Sequence, residues 1–255
     1  MHEFPIIIVG GFEIDLSTWG AIIISSIITF LLARLAVRNL SLHNPGKLQN
    51  FMEWVVEFVH NTIASTMPLE KVKRFVSLGM TLIMFIFVSN LLGLPFGIVF
   101  DFHHENEFFG ITKEVLEHHG GAVHMAFWKS PTAALEVTAG LAITVIFLVH
   151  YLGLKENTKH YIKHYVEPFP IFLPLNIIKE ISKPITLALR LYANIFAGEV
   201  LISTILMLGV VGIPFLAIWQ GFSIFVGAIQ AFLFTILTMV YISQATVHHH
   251  EDEAH

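Results

Sequence analysis

The sequence predicts an all-α integral membrane protein with about five membrane-embedded helices and one amphipathic interfacial helix. Of its 255 residues, 55% are hydrophobic and 13% are charged, whereas charged residues make up about a quarter of an ordinary soluble domain. The mean hydropathy is +0.72, and several apolar stretches are long enough to span a bilayer as helices. We therefore expect a single membrane domain over residues 1–255.

Composition excludes several classes of function. The formal net charge of −5 argues against a nucleic-acid partner, which would require a basic face. The chain has no cysteine, so disulfides and thiolate chemistry are absent. We see no basic region before the first apolar run and expect no secretory signal. No Gly-rich phosphate loop is present, so we expect no nucleotide chemistry and no cofactor in this chain alone.

The first two helices have different characters. Residues 16–37 form an apolar span closed by Arg34 and Arg38. Residues 45–67 then place apolar side chains at helical spacing, with Glu and His on the other faces. Asn44 and Pro45 suit the cap and first position of this helix. It is too polar to span, so we expect it along the cytoplasmic interface or against the other helices.

Four further segments complete the predicted membrane domain. The predicted helices cover residues 75–99, 131–154, 170–211 and 213–246, with an outer loop at 100–130 and a tail at 247–255. The loops after the first and third spans are rich in Lys and Arg, while the outer loop is acidic. This pattern places the N-terminus outside the cell and the C-terminus in the cytoplasm.

Arg190 lies near the middle of the segment 170–211. A guanidinium at that depth costs roughly 2.5–3.5 kcal/mol and cannot lose its charge. Glu180 and Glu199 are too far along a regular helix to reach it, and its near neighbour Asn194 is neutral. Either Arg190 is a structural residue packed against carbonyls, or it lines a water-accessible path and meets a carboxylate of another chain. We favour the second interpretation.

Counting from the turn at Gly212, the last two helices pair their polar residues in three layers. The layers are Glu199, Ser223 and Gln220 (outer), Arg190, Asn194 and Gln230 (middle), and Glu180, Tyr241 and Gln244 (inner). Pro184 removes a backbone hydrogen bond and would free the Glu180 carbonyl for water. This spacing suggests two aqueous half-paths separated by a fixed positive charge.

The run LRLYANIFAGEV, around Arg190, resembles the signature of the ATP synthase subunit a family, Arg-x₃-Asn-x₃-Gly-Glu on a long tilted helix. The resemblance extends to NPGKLQ, the span with Asn90, SPTAALEVTAGLA, ISKP and QAFLFTILTMVYIS, and covers most of the chain after Asn44. It implies a tilted hairpin of the last two helices. It also implies a stator that works against a ring of c subunits, with a b-subunit peripheral stalk, in the bacterial plasma membrane.

The resemblance also implies roles for individual residues. Arg190 would face the ring carboxylate, Glu199 would belong to the outer half-channel and Glu180 to the cytoplasmic one. Asn194 and Gln230 would support the arginine. The chain would then be no enzyme by itself but a component of the proton-transporting two-sector ATPase, surrounded by membrane lipid. Whether the coupling ion is H⁺ or Na⁺ stays open.

Two departures from the family pattern concern the outer half-channel. Ser223 stands where relatives carry His or Glu, so the outer relay would depend on water and on Glu199. Ala134 and Glu136 stand where Asp and Asn would be expected. Glu136 is either a relocated outer carboxylate or a bystander near the interface.

Other classes of function are less well supported. A self-contained antiporter with Arg190 and Glu199 as its ion site would show inverted repeats, which are not evident. An intramembrane hydrolase would need a nucleophile arrangement that the chain lacks. The outer loop is rich in histidine, but without metal-site spacing we expect a solvated loop and no metal. Its histidines are His103, His104, His118, His119 and His124.

Overall fold

The structure is a computed structural model, and helices account for most of what it describes. It describes residues 6–9, 12–93, 99–102, 123–126, 128–166 and 169–246. The helices are α1 (Leu16–Ala36), α2 (Lys47–Ala64), α3 (Leu69–Leu92), α4 (Leu135–Val166), α5 (Leu173–Leu206) and α6 (Gly212–Thr246). The predicted all-α membrane class is confirmed.

Two short antiparallel hairpins accompany the helices and were not predicted. In the first, β1 (Ile6–Val9) pairs with β2 (Phe12–Asp15), and Ile6 lies opposite Asp15. In the second, β3 (Val99–Phe102) pairs with β4 (Val123–Ala126). The second hairpin brackets the His-rich part of the outer loop, which lies outside the described residues.

Five of the described helices are long and apolar enough to cross a membrane, namely all except α2. This number agrees with the sequence-based expectation, and the chain is a multi-pass membrane protein. α2 buries one face, including Val55, Val59 and Ile63, and exposes Trp54 to 61%. The pattern is that of an amphipathic helix that packs on one side only.

Two helices extend beyond their predicted bounds. α3 begins at Leu69, directly after Pro68, so Lys71 and Arg74 lie in its first turns. α4 continues to Val166, well past the predicted end at residue 154. Lys, Glu and His are compatible with helix, and the next prolines come only at Pro168 and Pro170. A polar stretch therefore ends a membrane span without ending the helix.

The chain divides into two compact units, whose interiors differ in polarity. The first comprises Met1–Leu31, Phe85–Ala134 and Ile195–Ala228, and the second comprises Leu32–Met84, Leu135–Asn194 and Ile229–His255. In the first unit the buried residues include many polar ones: Ser17, Thr18, Ser25, Ser89, Asn90, Ser130 and Thr132. Burying a polar group costs free energy unless it is hydrogen-bonded, so the contacts of these residues are described below.

The interior of the second unit is mainly apolar and closely packed. A Cβ added at Gly79 on α3 would lie 2.9 Å from Cγ1 of Val59 on α2 and 3.5 Å from Cε of Met239 on α6. Lys71 and Arg74, in the first turns of α3, both pair with Glu156 of α4 at 2.7 Å. These contacts fix α2, α3, α4 and α6 against one another within this unit.

Candidate functional site

Arg190 points away from the packed interior of its unit. The buried residues of α5 are Leu187, Ala188 and Leu191, whereas the Arg190 side chain is exposed. Only 17% of the most apolar part of α5 is buried, against 44% for α3. The guanidinium makes no hydrogen bond or ion pair with any residue in the described part of the chain. The interpretation as a structural arginine packed against carbonyls therefore has no contact to support it.

Asn194 and Gln230 meet as the predicted middle layer requires. The Asn194 Nδ2 donates to Oε1 of Gln230 at 2.8 Å. The Gln230 side chain is 1% exposed, and its Nε2 has no partner among the described residues. Because Asn194 follows Arg190 by four residues, it lies on the same face of α5. The hydrogen bond to Gln230 therefore holds the Asn194 side chain in place next to Arg190.

Glu180 has a partner on its own helix. Its carboxylate accepts a hydrogen bond from Nζ of Lys183, one turn further along and adjacent to Pro184. Nζ of Lys183 also lies 5.2 Å from the centre of the Tyr241 ring. The Tyr241 hydroxyl is within electrostatic reach of both Glu180 and Arg190.

Gln244, the third residue of the predicted inner layer, is exposed, and no bond joins it to the other two. The Lys183 side chain is 20% exposed and pairs with Glu180. The inner layer therefore consists of Glu180, Lys183 and Tyr241.

Glu199 is bound by a residue that the sequence did not point to. The backbone N–H of Ser130, just before the first turn of the Pro131–Ala133 3₁₀ helix, donates to Oε1 of Glu199 at 3.2 Å. The preceding residue, Lys129, forms an ion pair with Asp15 at 2.5 Å. The positive charge of Lys129 also acts on the Glu199 carboxylate. Sequence reasoning missed Asp15, Lys129 and Ser130, although Lys129 is one of only two cations in an acidic loop.

Ser130 begins a chain of buried hydrogen bonds that leads away from Glu199. Its Oγ lies 2.8 Å from Oγ1 of Thr132 and 3.0 Å from the Ser89 carbonyl. Thr132 donates to Oδ1 of Asn90 at 2.6 Å, and Asn90 donates to the Gly227 carbonyl at 2.9 Å. Since a hydroxyl carries one proton, the Ser130 proton has two competing acceptors. All these side chains are at most 3% exposed.

Ser223 does not pair with Glu199, which corrects the predicted outer layer. Its Oγ is buried without a partner among the described residues. It lines a narrow cleft with Phe87, Asn90, Leu91, Ile224 and Gly227. The count from the turn fails here because the register is different: Trp219, nearer the turn, donates to the Gly198 carbonyl at 3.3 Å.

The remaining predicted positions carry less information. Glu136 lies in the first turn of α4 with an exposed side chain. A carboxylate there interacts favourably with the helix dipole, and both interpretations of Glu136 stay open. Among the described residues no group of three metal-ligating side chains exists. The histidines of the outer loop lie outside the residues whose side chains are described.

Comparisons with known proteins show the family of the chain. A sequence model of the family described as ATP synthase A chain matches residues 18–243. The chain is 46% identical to ATP synthase subunit a of Anoxybacillus flavithermus, 44% to that of Bacillus subtilis and 43% to that of Bacillus velezensis. Each match covers 98% of this chain and 99% of the relative. The chain therefore belongs to the ATP synthase subunit a family.

Proposed function

We propose that this chain is the proton-translocating stator subunit of a rotary ATP synthase. Two offset half-channels would deliver protons to, and remove them from, a carboxylate on a rotating ring of c subunits, and Arg190 would separate them. The observation that carries the proposal is the exposed Arg190 guanidinium, which has no partner in the described part of this chain. A permanent charge at this depth requires a counter-charge from another subunit.

Each half-channel would be built within one of the two units. Glu199, with Ser130 and the buried hydroxyl chain, belongs to the first unit, and we assign it to the outer path. Glu180, Lys183 and Tyr241 belong to the second, and we assign them to the cytoplasmic path. This assignment places the N-terminus outside and the C-terminus in the cytoplasm, as the Lys and Arg pattern predicts.

The charge of Arg190 would control which protonation state of the ring carboxylate passes. Arginine keeps its proton at any accessible pH, so it attracts an ionised carboxylate and repels protons. Away from the arginine the ring faces lipid, where a carboxylate is stable only when neutral. A ring carboxylate would therefore give up its proton to one half-channel, pass Arg190 ionised, and take a proton from the other.

The face of α5 around Arg190 is suited to a closely packed partner helix. Thr186, Ala193 and Ala197 lie on this face, one or two turns from the arginine, and all three are exposed. Small side chains let two helices approach closely within a membrane. We infer that a ring helix packs here, with the b-subunit peripheral stalk and the rest of the complex holding the chain in place.

A cross-linking experiment tests this placement. Because the chain has no cysteine, Ala193→Cys introduces a single thiol, to be paired with a cysteine placed next to the ring carboxylate. We expect a disulfide between the two subunits in oxidised membranes. Ala188→Cys, on the buried stripe of α5, is the matched control and should form none. Equal cross-linking at both positions, or none at Ala193→Cys, would refute the placement.

The antiporter alternative needs Arg190 and Glu199 to form one ion site. Glu199 instead accepts a hydrogen bond from Ser130, and Arg190 pairs with no described residue. The purified chain, reconstituted without other subunits, should conduct few protons. Substantial ion exchange by the chain alone would support the antiporter.

A further inference from the structure

Asp15 and Lys129 form a linked pair of charges in the first unit, and the proposed proton path has not used it. Asp15 precedes α1 and caps it: Oδ1 accepts the backbone N–H groups of Ser17 (2.9 Å) and Thr18 (3.2 Å). Its Oδ2 accepts from Nζ of Lys129 at 2.5 Å and from Oγ1 of Thr18 at 2.7 Å. Asp15 therefore fixes the Lys129 side chain to the rigid beginning of a helix.

Lys129 is joined to Glu199 in two ways. Its neighbour Ser130 gives its backbone N–H to the Glu199 carboxylate, so the position of the 129–130 backbone sets that hydrogen bond. Its ammonium charge also acts directly on the same carboxylate. Asp15, Lys129, Ser130 and Glu199 thus form a continuous chain from the start of α1 to α5.

The burial of the pair makes its charges effective. The Lys129 side chain is 15% exposed and that of Asp15 is 25% exposed. Exposed ion pairs contribute little because water and salt screen them, whereas partly buried pairs are screened much less. The Lys129 charge can therefore influence an ionisable group beside it.

We propose that Lys129, anchored by Asp15, is a positioning residue for Glu199 in the outer half-channel. It holds the Ser130 backbone against the carboxylate and keeps a positive charge next to it. A cation and a carboxylate close to each other attract, so the Lys129 charge helps to hold the Glu199 side chain in place. This inference rests on the proposed role of Glu199 and gives Lys129 no proton-carrying role of its own.

The test is ATP-driven proton pumping in inverted membrane vesicles that carry the whole complex, with rates expressed per assembled complex. Lys129→Gln should lower pumping by roughly fivefold, since the charge beside Glu199 is weakly screened. Lys129→Arg should recover most of the rate because it keeps the charge. Lys73→Gln removes a charge from an exposed lysine of α3 and is the matched control, with wild-type pumping expected.

A second pair of variants separates positioning from a purely structural role. Glu199→Gln lowers pumping under the proposed function, and adding Lys129→Gln to it should cause no further loss, because Lys129 acts through Glu199. If the losses multiply and Lys129→Arg does not rescue, Lys129 is only a structural anchor and the inference is wrong. It is also wrong if Lys129→Gln pumps normally while Glu199→Gln does not. If Glu199→Gln itself pumps normally, Glu199 has no role in the outer half-channel. The proposed outer path and the inference about Lys129 are then both wrong.

Discussion

Arg190 differs from the two glutamates of α5 in having no partner among the residues described. Glu180 pairs with Lys183, and Glu199 accepts the Ser130 N–H. Asn194, four residues on, is held by Gln230 and leaves the arginine uncompensated. The charge is thus available to a carboxylate that approaches from another subunit.

Asn194→Asp should give the Arg190 guanidinium a partner within its own chain. A carboxylate four residues after Arg190 lies on the same helix face and can pair with it. We expect proton pumping to fall by at least about tenfold, because the ring carboxylate must then compete with a built-in partner in a low-dielectric site. Pumping is measured in vesicles, with Asn194→Gln as the uncharged control. Pumping at the wild-type rate in the aspartate variant would show that Arg190 does not act as a free cation.

The cap at Asp15 gives a pH-dependent prediction. Burial raises the pKa of Asp15, but the hydrogen bonds from Lys129, Ser17 and Thr18 outweigh it and leave the pKa below its ordinary value of 3.8. A lowered pKa stabilises the folded state above the ordinary value, and the stabilisation is lost as the pH falls through the folded-state pKa. Asp15→Ala should therefore cost about 1–2 kcal/mol at pH 7, and the difference from wild type should shrink below pH 3.8.

Thermal unfolding of the purified complex at several pH values checks this prediction. Asp15→Asn keeps a capping side chain and removes only the charge, so it should cost less than Asp15→Ala at pH 7. A difference between wild type and Asp15→Ala that stays constant down to pH 3 would contradict the assigned ionisation.

At the scale of elements, the packing of α2 on α3 depends on a glycine. A Cβ at Gly79 would lie 2.9 Å from Val59 and 3.1 Å from Ile63, both buried on α2. Gly79→Ala should destabilise this contact by about 1–3 kcal/mol, the usual range for overpacking. Gly140→Ala on α4 is the control, because nothing lies within 4 Å of the added atom. Thermal stability of the complex distinguishes the two, and equal effects would contradict the close approach.

The sequence predicted the helices better than the contacts between them. Spans follow from apolar length, and Arg190 stands out because a charge interrupts an apolar run. The pair Asn194–Gln230 followed from counting back along an antiparallel hairpin. The end of α4 could not be predicted in the same way. A membrane span ends where the apolar residues end, whereas its helix continues until a proline interrupts it.

Contacts to the outer part of α5 could not be predicted from local pattern. Ser130 is 69 residues from Glu199 in the chain. It binds through its backbone N–H, which every residue except proline has, so the identity of the residue does not reveal the contact. The expected partner Ser223 instead lies beside Asn90. Only the folded positions of the 128–133 segment and α1 bring Ser130, Lys129 and Asp15 to this carboxylate.

For the whole molecule, the division into two units matches the proposed division into two proton paths. One unit holds Glu199 and a buried chain of hydroxyl and amide groups, while the other holds Glu180 and Arg190. Among the described residues, no hydrogen bond or ion pair connects either set to Arg190. Under the proposed function, transport then requires a carboxylate that moves, and a rotating ring of c subunits would supply it.

The most direct test of this account compares ATP-driven proton pumping in vesicles carrying Arg190→Ala with pumping in wild-type vesicles. Arg38→Ala, which removes an exposed arginine outside α5, is the control. We expect Arg190→Ala to abolish pumping while ATP hydrolysis by the soluble sector persists, because the barrier between the half-channels is lost. Pumping by Arg190→Ala near the wild-type rate would make Arg190 structural and contradict the stator mechanism.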